Sequence, residues 1–288
     1  MRSPLRNSLL SFTAPVLAIV VLAATPTPAQ TPSGRNPIPR MRDGKPDLNG
    51  IWQVLNTADW DLEGQGGGPA PKEGFQLGAV GAIPPGLGVV DGGRIPYQAW
   101  ALAKREENRK NWVSLDPEVR CYLPGIPRAT YLPYPFQIVQ SQDRLVFAYQ
   151  YSYARRIINM GKAVEAPIES WMGWPNGHWE GDTLVIDNTA FIDPPALREG
   201  ETPIGSWLDR TGNFHSAALH VVERYTLMDA THITYEATLD DPSVYTRPWK
   251  ISMPLYRRVE KDAQILEFKC PEYVEELYWG KYRKQPSQ

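Results

Sequence analysis

Four histidines and one strand carboxylate are the residues whose types and spacing point most directly to chemistry. The histidines are His178, His215, His220 and His232. His215 and His220 lie five residues apart, before and at the start of one predicted strand, and Asp187 directly follows an apolar run. A neutral imidazole beside a buried carboxylate is a common acid–base pair, because the carboxylate fixes the tautomer. We therefore predict that His215, His220 and Asp187 are catalytic.

Other interpretations of these residues stay open. Two histidines with Asp187 or Glu180 would suit a two-His, one-carboxylate metal site, but no His-x-His or His-Glu-x-x-His spacing supports it. A core histidine, a surface histidine and a carboxylate bound to backbone N–H groups are the structural alternative. The triple glycine at 66–68 lacks the flanking strand and helix of a dinucleotide site. We expect no cofactor, with a divalent metal as the alternative.

Aromatic and guanidinium side chains supply candidate substrate-binding groups. Those predicted to bind substrate are Trp171, Trp174, Trp179, Tyr149, Tyr151, Arg224 and Arg247. The two tyrosines share one strand parity with Phe147 and Tyr153, which predicts an aromatic stripe lining either a core or a cavity. The arginines would bind a carboxylate or an enolate oxygen, or else form ion pairs between strands.

The elements that must position these residues are β-strands. Glu180-Gly181-Asp182 predicts a turn, and residues 183–191 predict a strand with both faces covered. The other predicted strands are 136–139 paired with 145–153, then 155–160, 219–227 paired with 233–239, and 249–257 paired with 264–270. Repeated short hairpins predict a mainly β fold, an antiparallel up-and-down meander that closes into a lipocalin-like barrel.

The segment before these hairpins is of a different kind. A strand is predicted at 45–54, a glycine- and proline-rich loop at 58–96, and one helix at 96–112, with Pro96 in its first turn. A loop this long is either disordered or lies over a site. We therefore divide the chain into a flexible lead-in at 30–45 and a single β-barrel domain at 46–288, with a loop-and-helix elaboration at 58–120.

Residues 1–29 have the pattern of a secretory signal. Arg2 and Arg6 precede an apolar run at 9–24, and small residues precede Gln30. A membrane anchor is the alternative, but the run is shorter than the roughly 20 residues that span a bilayer. We predict a periplasmic or secreted protein with no stable membrane span after cleavage.

The chain has two cysteines, Cys121 and Cys270. An even number of cysteines in an oxidising compartment indicates one disulfide bond between them. Two buried free thiols are the alternative. Neither cysteine has a second cysteine or a histidine at the spacing of a metal ligand.

Two resemblances add to these predictions. Gly50-Ile51-Trp52 at the opening of the first strand resembles the lipocalin and calycin barrels, whose first strand carries Gly-x-Trp, and this implies an apolar cavity for a small ligand. The chain is also similar to a widespread family of secreted bacterial proteins, and this resemblance carries over no catalytic assignment. The matching blocks lie at 46–52 (PDLNGIW), 121–128 (CYLPGIPR), 179–187 (WEGDTLVID), 215–224 (HSAALHVVER) and 245–249 (YTRPW).

Charge and composition limit the partners. The formal net charge is −2, and no basic stripe alternates with aromatic residues, so we expect no nucleic acid. The prediction is an exported β-barrel protein that binds a small apolar or aromatic molecule. We favour a cofactor-free lyase, isomerase or hydrolase that uses histidine acid–base chemistry. A lipocalin-like carrier without chemistry and an envelope interaction protein are the alternatives.

Overall fold

Nine strands form one closed barrel in chain order. The structure is a computed structural model that describes residues 38–69, 82–192 and 207–269. The strands are β1 (Gly50–Gln53), β2 (Phe136–Gln140), β3 (Leu145–Tyr149), β4 (Arg155–Met160), β5 (Trp174–Glu180), β6 (Thr183–Thr189), β7 (His220–Leu227), β8 (His232–Asp240) and β9 (Trp249–Arg257). The predicted mainly β fold and its closed barrel are confirmed.

The barrel is an up-and-down meander with one parallel step. β9 closes on β1 through the pairs Trp52↔Arg257 and Gln53↔Tyr256. β4 and β5 run parallel and pair only through Asn159↔Asn176 and Met160↔Gly177. They approach closely there, because a Cβ added to Gly177 would lie 2.5 Å from a methyl carbon of Ile158. The parallel step is the one departure of the barrel from the predicted antiparallel order.

Large side chains fill the barrel interior. Alternate residues along β7 and β8 are buried, as the two-residue period of a strand requires. The rings of Trp52, Phe136, Phe147, Tyr225 and Tyr235 are completely buried. The described interior is therefore a packed core, and it does not hold the apolar cavity that a lipocalin resemblance implies.

An ion pair lies within this core. Nη2 of Arg156 on β4 donates to Oε2 of Glu223 on β7 at 2.5 Å. Oε1 of Glu223 accepts from the hydroxyls of Tyr225 and Tyr235 at 2.8 and 2.9 Å, and Asn188 joins both charged groups. A buried charge is tolerated only when it is paired and hydrogen-bonded, so these strands must keep one register.

The helices lie between β1 and β2 in the chain. They are α1 (Ala99–Lys110), α2 (Trp112–Leu115) and α3 (Arg128–Tyr131), with a 3-10 turn at Pro117–Arg120. The helix predicted at 96–112 is confirmed over α1. Its start differs, because Gln98 is the N-cap and Pro96 therefore precedes the first turn.

The aromatic stripe predicted along 145–153 is shorter than expected. β3 ends at Tyr149, and Ser152 and Tyr153 take positive φ values of 50° and 51° in a 3-10 turn. The turn places Tyr151 in a separate small cluster and leaves Tyr153 57% exposed. Of the predicted stripe, only Phe147 and Tyr149 therefore lie on the same face of one strand.

The strand predicted at 264–270 is wrong over its described part. Residues 264–269 form no strand, because β9 already pairs with β8 on one side and β1 on the other. Phe268 instead packs against Leu132 and Tyr151, in a cluster that Cys121 also contacts. Cys270 lies outside the described residues, so the Cys121–Cys270 disulfide stays a prediction.

The predicted signal at 1–29 also lies outside the described residues. Residues 38–46, at the end of the predicted lead-in, form a turn closed by a bridge between Arg40 and Pro46. Arg40 donates two hydrogen bonds to the Asp182 carboxylate in the β5–β6 turn. Across 38–69, 82–192 and 207–269, we find no helix whose length and apolar character would suit a membrane span.

Candidate functional site

The structure joins two of the three predicted catalytic residues. Nε2 of His220 lies 2.8 Å from Oδ1 of Asp187, and the two side chains are 42% and 45% exposed on the outside of the barrel. His215 is buried, with Nδ1 2.9 Å from the carbonyl oxygen of Ser216 and its ring edge-on to Phe191. The predicted trio is therefore a surface pair and a buried histidine.

The predicted tryptophans have separate environments. Trp171 stacks on Tyr122 with ring centroids 5.6 Å apart. Trp174 donates its indole N–H to the carbonyl of Val164, and Trp179 lies beneath the ammonium of Lys45. Each contact is of a kind that orients a ring on a protein surface.

The predicted tyrosines and arginines are also spread over the molecule. Tyr149 contacts Arg156 inside the barrel, and Tyr151 donates to the carbonyl of Glu118. Arg224 pairs with Glu180 on the outer face at 2.8 Å, and Arg247 is exposed. The structure does not gather the predicted binding residues into one pocket.

A cleft outside the barrel gathers a different set of chemical groups. It has a volume of about 920 Å³ and lies between residues 60–66, α1 and residues 210–211. Its aromatic residues are Trp60 and Trp112, and its charged residues are Asp61, Glu63, Arg94, Arg105, Glu106, Arg109, Lys110 and Arg210. This volume lies within the range of small-molecule sites, about 300–1,000 Å³, but charged side chains outnumber aromatic ones in the lining.

Close backbone contacts position the acidic wall of the cleft. Gly64 and Gly88 both have positive φ, and a Cβ on Gly88 would lie 2.5 Å from the carbonyl oxygen of Glu63. Leu62, between the two acidic residues, is completely buried, and its N–H donates to Oδ2 of Asp209 at 2.9 Å. Only glycine permits this conformation and approach, so the loop holds Asp61 and Glu63 on a fixed backbone.

Helix α1 positions the opposite wall. Ala101, Arg105 and Asn108 are its buried residues, and their spacing puts them on one helical face. Gly212 allows this face to approach the 209–213 loop, because a Cβ there would lie 2.6 Å from Cβ of Asn108. The helix thereby directs the Arg105 side chain between the acidic loop and Thr211, whose hydroxyl it contacts at 3.3 Å.

Acidic groups outnumber arginines beneath the cleft. The carboxyls are those of Asp59, Asp61, Glu63, Asp116, Glu118 and Asp209, and the guanidiniums are those of Arg105, Arg128 and Arg210. Arg128 binds Asp116 in a bidentate pair, and Arg210 binds Glu118 in another. Asp61 and Glu63 share Arg105, which also pairs with Glu106, so Arg105 compensates the ionised form of Asp61 only in part.

Burial changes the titration of two aspartates at and beneath the cleft. Burial, reinforced by the nearby Asp209 charge, raises the pKa of Asp61 to about 7. Burial also raises the pKa of Asp59 to about 6, against the opposing effect of Arg210. A carboxyl with a pKa near neutrality can both give and take a proton at physiological pH, and Asp61 is the one of the two that lines the cleft.

Trp60 is fixed from two directions. The guanidinium of Arg210 lies over its ring, 4.6 Å from the centroid, and Trp112 meets it edge-on at 5.8 Å. Aromatic and cation–π contacts of this geometry hold a ring in place. Trp112 itself is buried, so the aromatic side of the cleft is rigid.

None of these residues is among those predicted from the sequence. The sequence predicts residues 58–96 as a loop that is either disordered or lies over a site, and residues 96–112 as a helix with no functional residue. The available signal was Trp60-Asp61 and Glu63 in one glycine-rich loop, together with Arg105 and Arg109 one turn apart on the helix. Strand patterning draws attention to the hairpins, whereas the cleft lies between a loop and a helix.

No group of three or more histidine, cysteine, aspartate or glutamate side chains in the described part of the chain is arranged to hold a metal ion.

The described structure is a closed nine-stranded β-barrel with a cleft outside the barrel wall. Comparisons with protein-family models, curated proteins and solved structures find no match.

Proposed function

We propose that the cleft binds a small aromatic or cyclic molecule and that Asp61 exchanges a proton with it. The observation that carries this proposal is the position of Asp61, on the wall of the cleft with a carboxyl whose pKa burial raises to about 7. Groups with strongly perturbed pKa values cluster at functional sites. The reaction class is that of a lyase, an isomerase or a hydrolase that needs acid–base chemistry.

Asp61 is oriented for such a role. Its Oδ1 accepts the N–H of Glu63 at 2.9 Å, and its Oδ2 lies 3.8 Å from Nη2 of Arg105. In the protonated form Asp61 would donate to a ligand oxygen, and in the ionised form it would be stabilised by Arg105. Arg105 would thus partly compensate the ionised form, and the ligand would supply the partner of the protonated form.

The family relationships belong to the same proposal. A relationship to lipocalin and calycin barrels is supported by the closed barrel and by Trp52, whose indole N–H donates to the carbonyl of Leu48 inside it. Export to the periplasm or the medium is supported by Arg2 and Arg6 before an apolar run. The filled interior favours a ligand outside the barrel wall over one carried within it.

Ligand mapping by NMR tests the proposed site. Amide shifts of the isotope-labelled protein would be followed while phenolic and cyclic hydroxylated compounds are added. Binding at the cleft predicts shifts in residues 60–66 and α1, and Asp61→Asn should alter their pH dependence. Binding confined to another surface, or no binding by any compound in the panel, would contradict the proposal.

The His220–Asp187 pair is a second candidate site. Its 2.8 Å contact is that of a tautomer-fixing hydrogen bond, which supports the acid–base role predicted for these residues. Both side chains are nearly half exposed on the barrel's outer face, where water competes for a proton. Shifts centred on β6 and β7 in the same experiment, abolished by His220→Ala, would favour this candidate over the cleft.

A further inference from the structure

We propose, on the basis of the function proposed for the cleft, that its ligand carries an anionic oxygen group bound by Arg94, Arg109 and Lys110. These three residues line the cleft and are exposed, whereas Arg105 and Asp61 are nearly buried. The exposed cations therefore mark the mouth and the buried groups mark the deep part. A ring or short scaffold would connect the anion at the mouth to a hydroxyl near Asp61.

The mouth cations are poorly neutralised. Within the described ranges, the side chains of Arg94 and Lys110 form no ion pair or hydrogen bond, and Arg109 has one ion pair, to Glu106 at 3.6 Å. By contrast, Lys104 on the same helix pairs with Glu107 at 3.2 Å. The positive charge at the mouth is thus a local feature and not a general property of α1.

The acidic side chains of the cleft are already engaged. Oε1 of Glu63 accepts the N–H of Ile95 at 2.7 Å, and Oε1 of Glu106 accepts from Arg105 at 2.8 Å. Each of these carboxylates is therefore partly compensated by the protein, whereas Arg94 and Lys110 have no such partner among the described residues. Carboxylates and phosphates bind guanidinium and ammonium groups through charge-assisted hydrogen bonds, so an anion is the complementary ligand group.

Arg105 and Asp61 form the deep part of the cleft. The Arg105 side chain is only 10% exposed, and its Nη1 and Nη2 contact Glu106, Glu63 and Thr211. A scaffold that reaches inward from the mouth cations would therefore end beside this guanidinium and the Asp61 carboxyl.

Ligands that share a ring and differ in charge test whether the cleft binds the anionic group or the ring alone. Binding of 4-hydroxybenzoate, 4-hydroxyphenyl phosphate and the neutral 4-hydroxybenzyl alcohol would be measured by tryptophan fluorescence and calorimetry at low salt. We expect an anionic member of the panel to bind at least about tenfold more tightly than the alcohol, with an advantage that shrinks as salt is added. The carboxylate and phosphate arms distinguish the two sources of the anionic group.

Variants locate the preference. Arg94→Gln with Lys110→Gln should reduce the advantage of the anion to about twofold or less, whereas Lys104→Gln, on the same helix outside the cleft, should retain it. Equal binding of acid and alcohol, or an unchanged preference in the double variant, would overturn the anion proposal while leaving the cleft as a ligand site. Failure of all three compounds to bind would count against the proposed function itself and, with it, this inference.

Discussion

Nη2 of Arg105 lies 3.8 Å from Oδ2 of Asp61, and both residues line the cleft. This separation is too long for a hydrogen bond, so the guanidinium attracts the carboxylate without fixing its ionised form. The same guanidinium also lies 3.5 Å from Glu63 and 2.8 Å from Glu106. Because Arg105 serves several carboxylates, burial and the Asp209 charge decide the pKa of Asp61.

The raised pKa values of Asp59 and Asp61 predict that stability falls as the pH rises. A group whose folded-state pKa exceeds its unfolded value stabilises fully below the unfolded pKa, about 4 here, and loses that contribution as pH rises through the folded pKa. The folded values of about 6 and about 7 place the loss between about pH 4 and 7. Urea unfolding across this range measures it.

Amide substitutions test which groups cause this fall. Asp59→Asn and Asp61→Asn should each reduce the pH-dependent loss of unfolding free energy by on the order of 2 kcal/mol, because an amide carries no charge to desolvate. Asp143→Asn, on the exposed β2–β3 turn, is the matched control and should leave the curve unchanged. If the free energy of unfolding of both variants still fell with pH as steeply as that of the wild type, other groups would be responsible.

The stability of the barrel should depend strongly on both partners of its buried ion pair, Arg156 and Glu223. Arg156→Met leaves the Glu223 carboxylate buried without its cation, and we expect it to lower the free energy of unfolding by about 3–5 kcal/mol. Arg156→Met with Glu223→Gln should cost less than the single change, because no uncompensated charge remains. A double-mutant cycle measured in urea tests this, and a single variant within about 0.5 kcal/mol of wild type would contradict it.

The narrow approach of β4 and β5 predicts that Gly177→Ala is destabilising. The new methyl group would lie 2.5 Å from Ile158 and 2.8 Å from the sulfur of Met160, and overpacking of this kind costs about 1–3 kcal/mol. Gly68→Ala is the control, since no atom lies within 4 Å of its added Cβ. Equal unfolding midpoints for the two variants would contradict the packing argument.

The predicted disulfide should hold the segment between β1 and β2 to the end of the chain. The cluster of Phe268 with residues that contact Cys121 brings 264–269 to this segment. Replacing both cysteines by alanine should lower the melting temperature and increase hydrogen exchange in 58–120 more than in the strands. A closed loop this long could contribute up to about 5 kcal/mol. Two free thiols in the unfolded, unreduced exported protein would contradict the disulfide.

The pattern of short β-rich segments and turn residues in the sequence is sufficient to predict the barrel. β4 was predicted with its observed bounds, and the β5–β6 hairpin around Gly181 follows from a turn residue between β-branched runs. Closure was harder to predict, because residues 264–269 have strand composition but find both edges of β9 occupied. Local composition does not show whether a strand edge is still available.

The candidate site was much less predictable. The contact of His220 with Asp187 depends on strand register, which the hydrophobic pattern sets. The cleft depends on the packing of α1 against Gly212 and on the close approach of Gly64 to Gly88. These contacts join residues far apart in the chain, and the pKa of Asp61 depends on Asp209 in the same way. Composition alone shows neither these contacts nor their effect on the pKa of Asp61.

Carboxyl ¹³C NMR can follow the titration of Asp61 itself, the group to which we assign the proton exchange. The Asp61 resonance would be assigned by its loss in Asp61→Asn, and its shift would be followed from acid to neutral pH. We predict a midpoint at about 7, which an added ligand should shift. A midpoint near 4, the ordinary value of an aspartate side chain, together with no response to ligand, would contradict the assignment of Asp61 as the acid–base group.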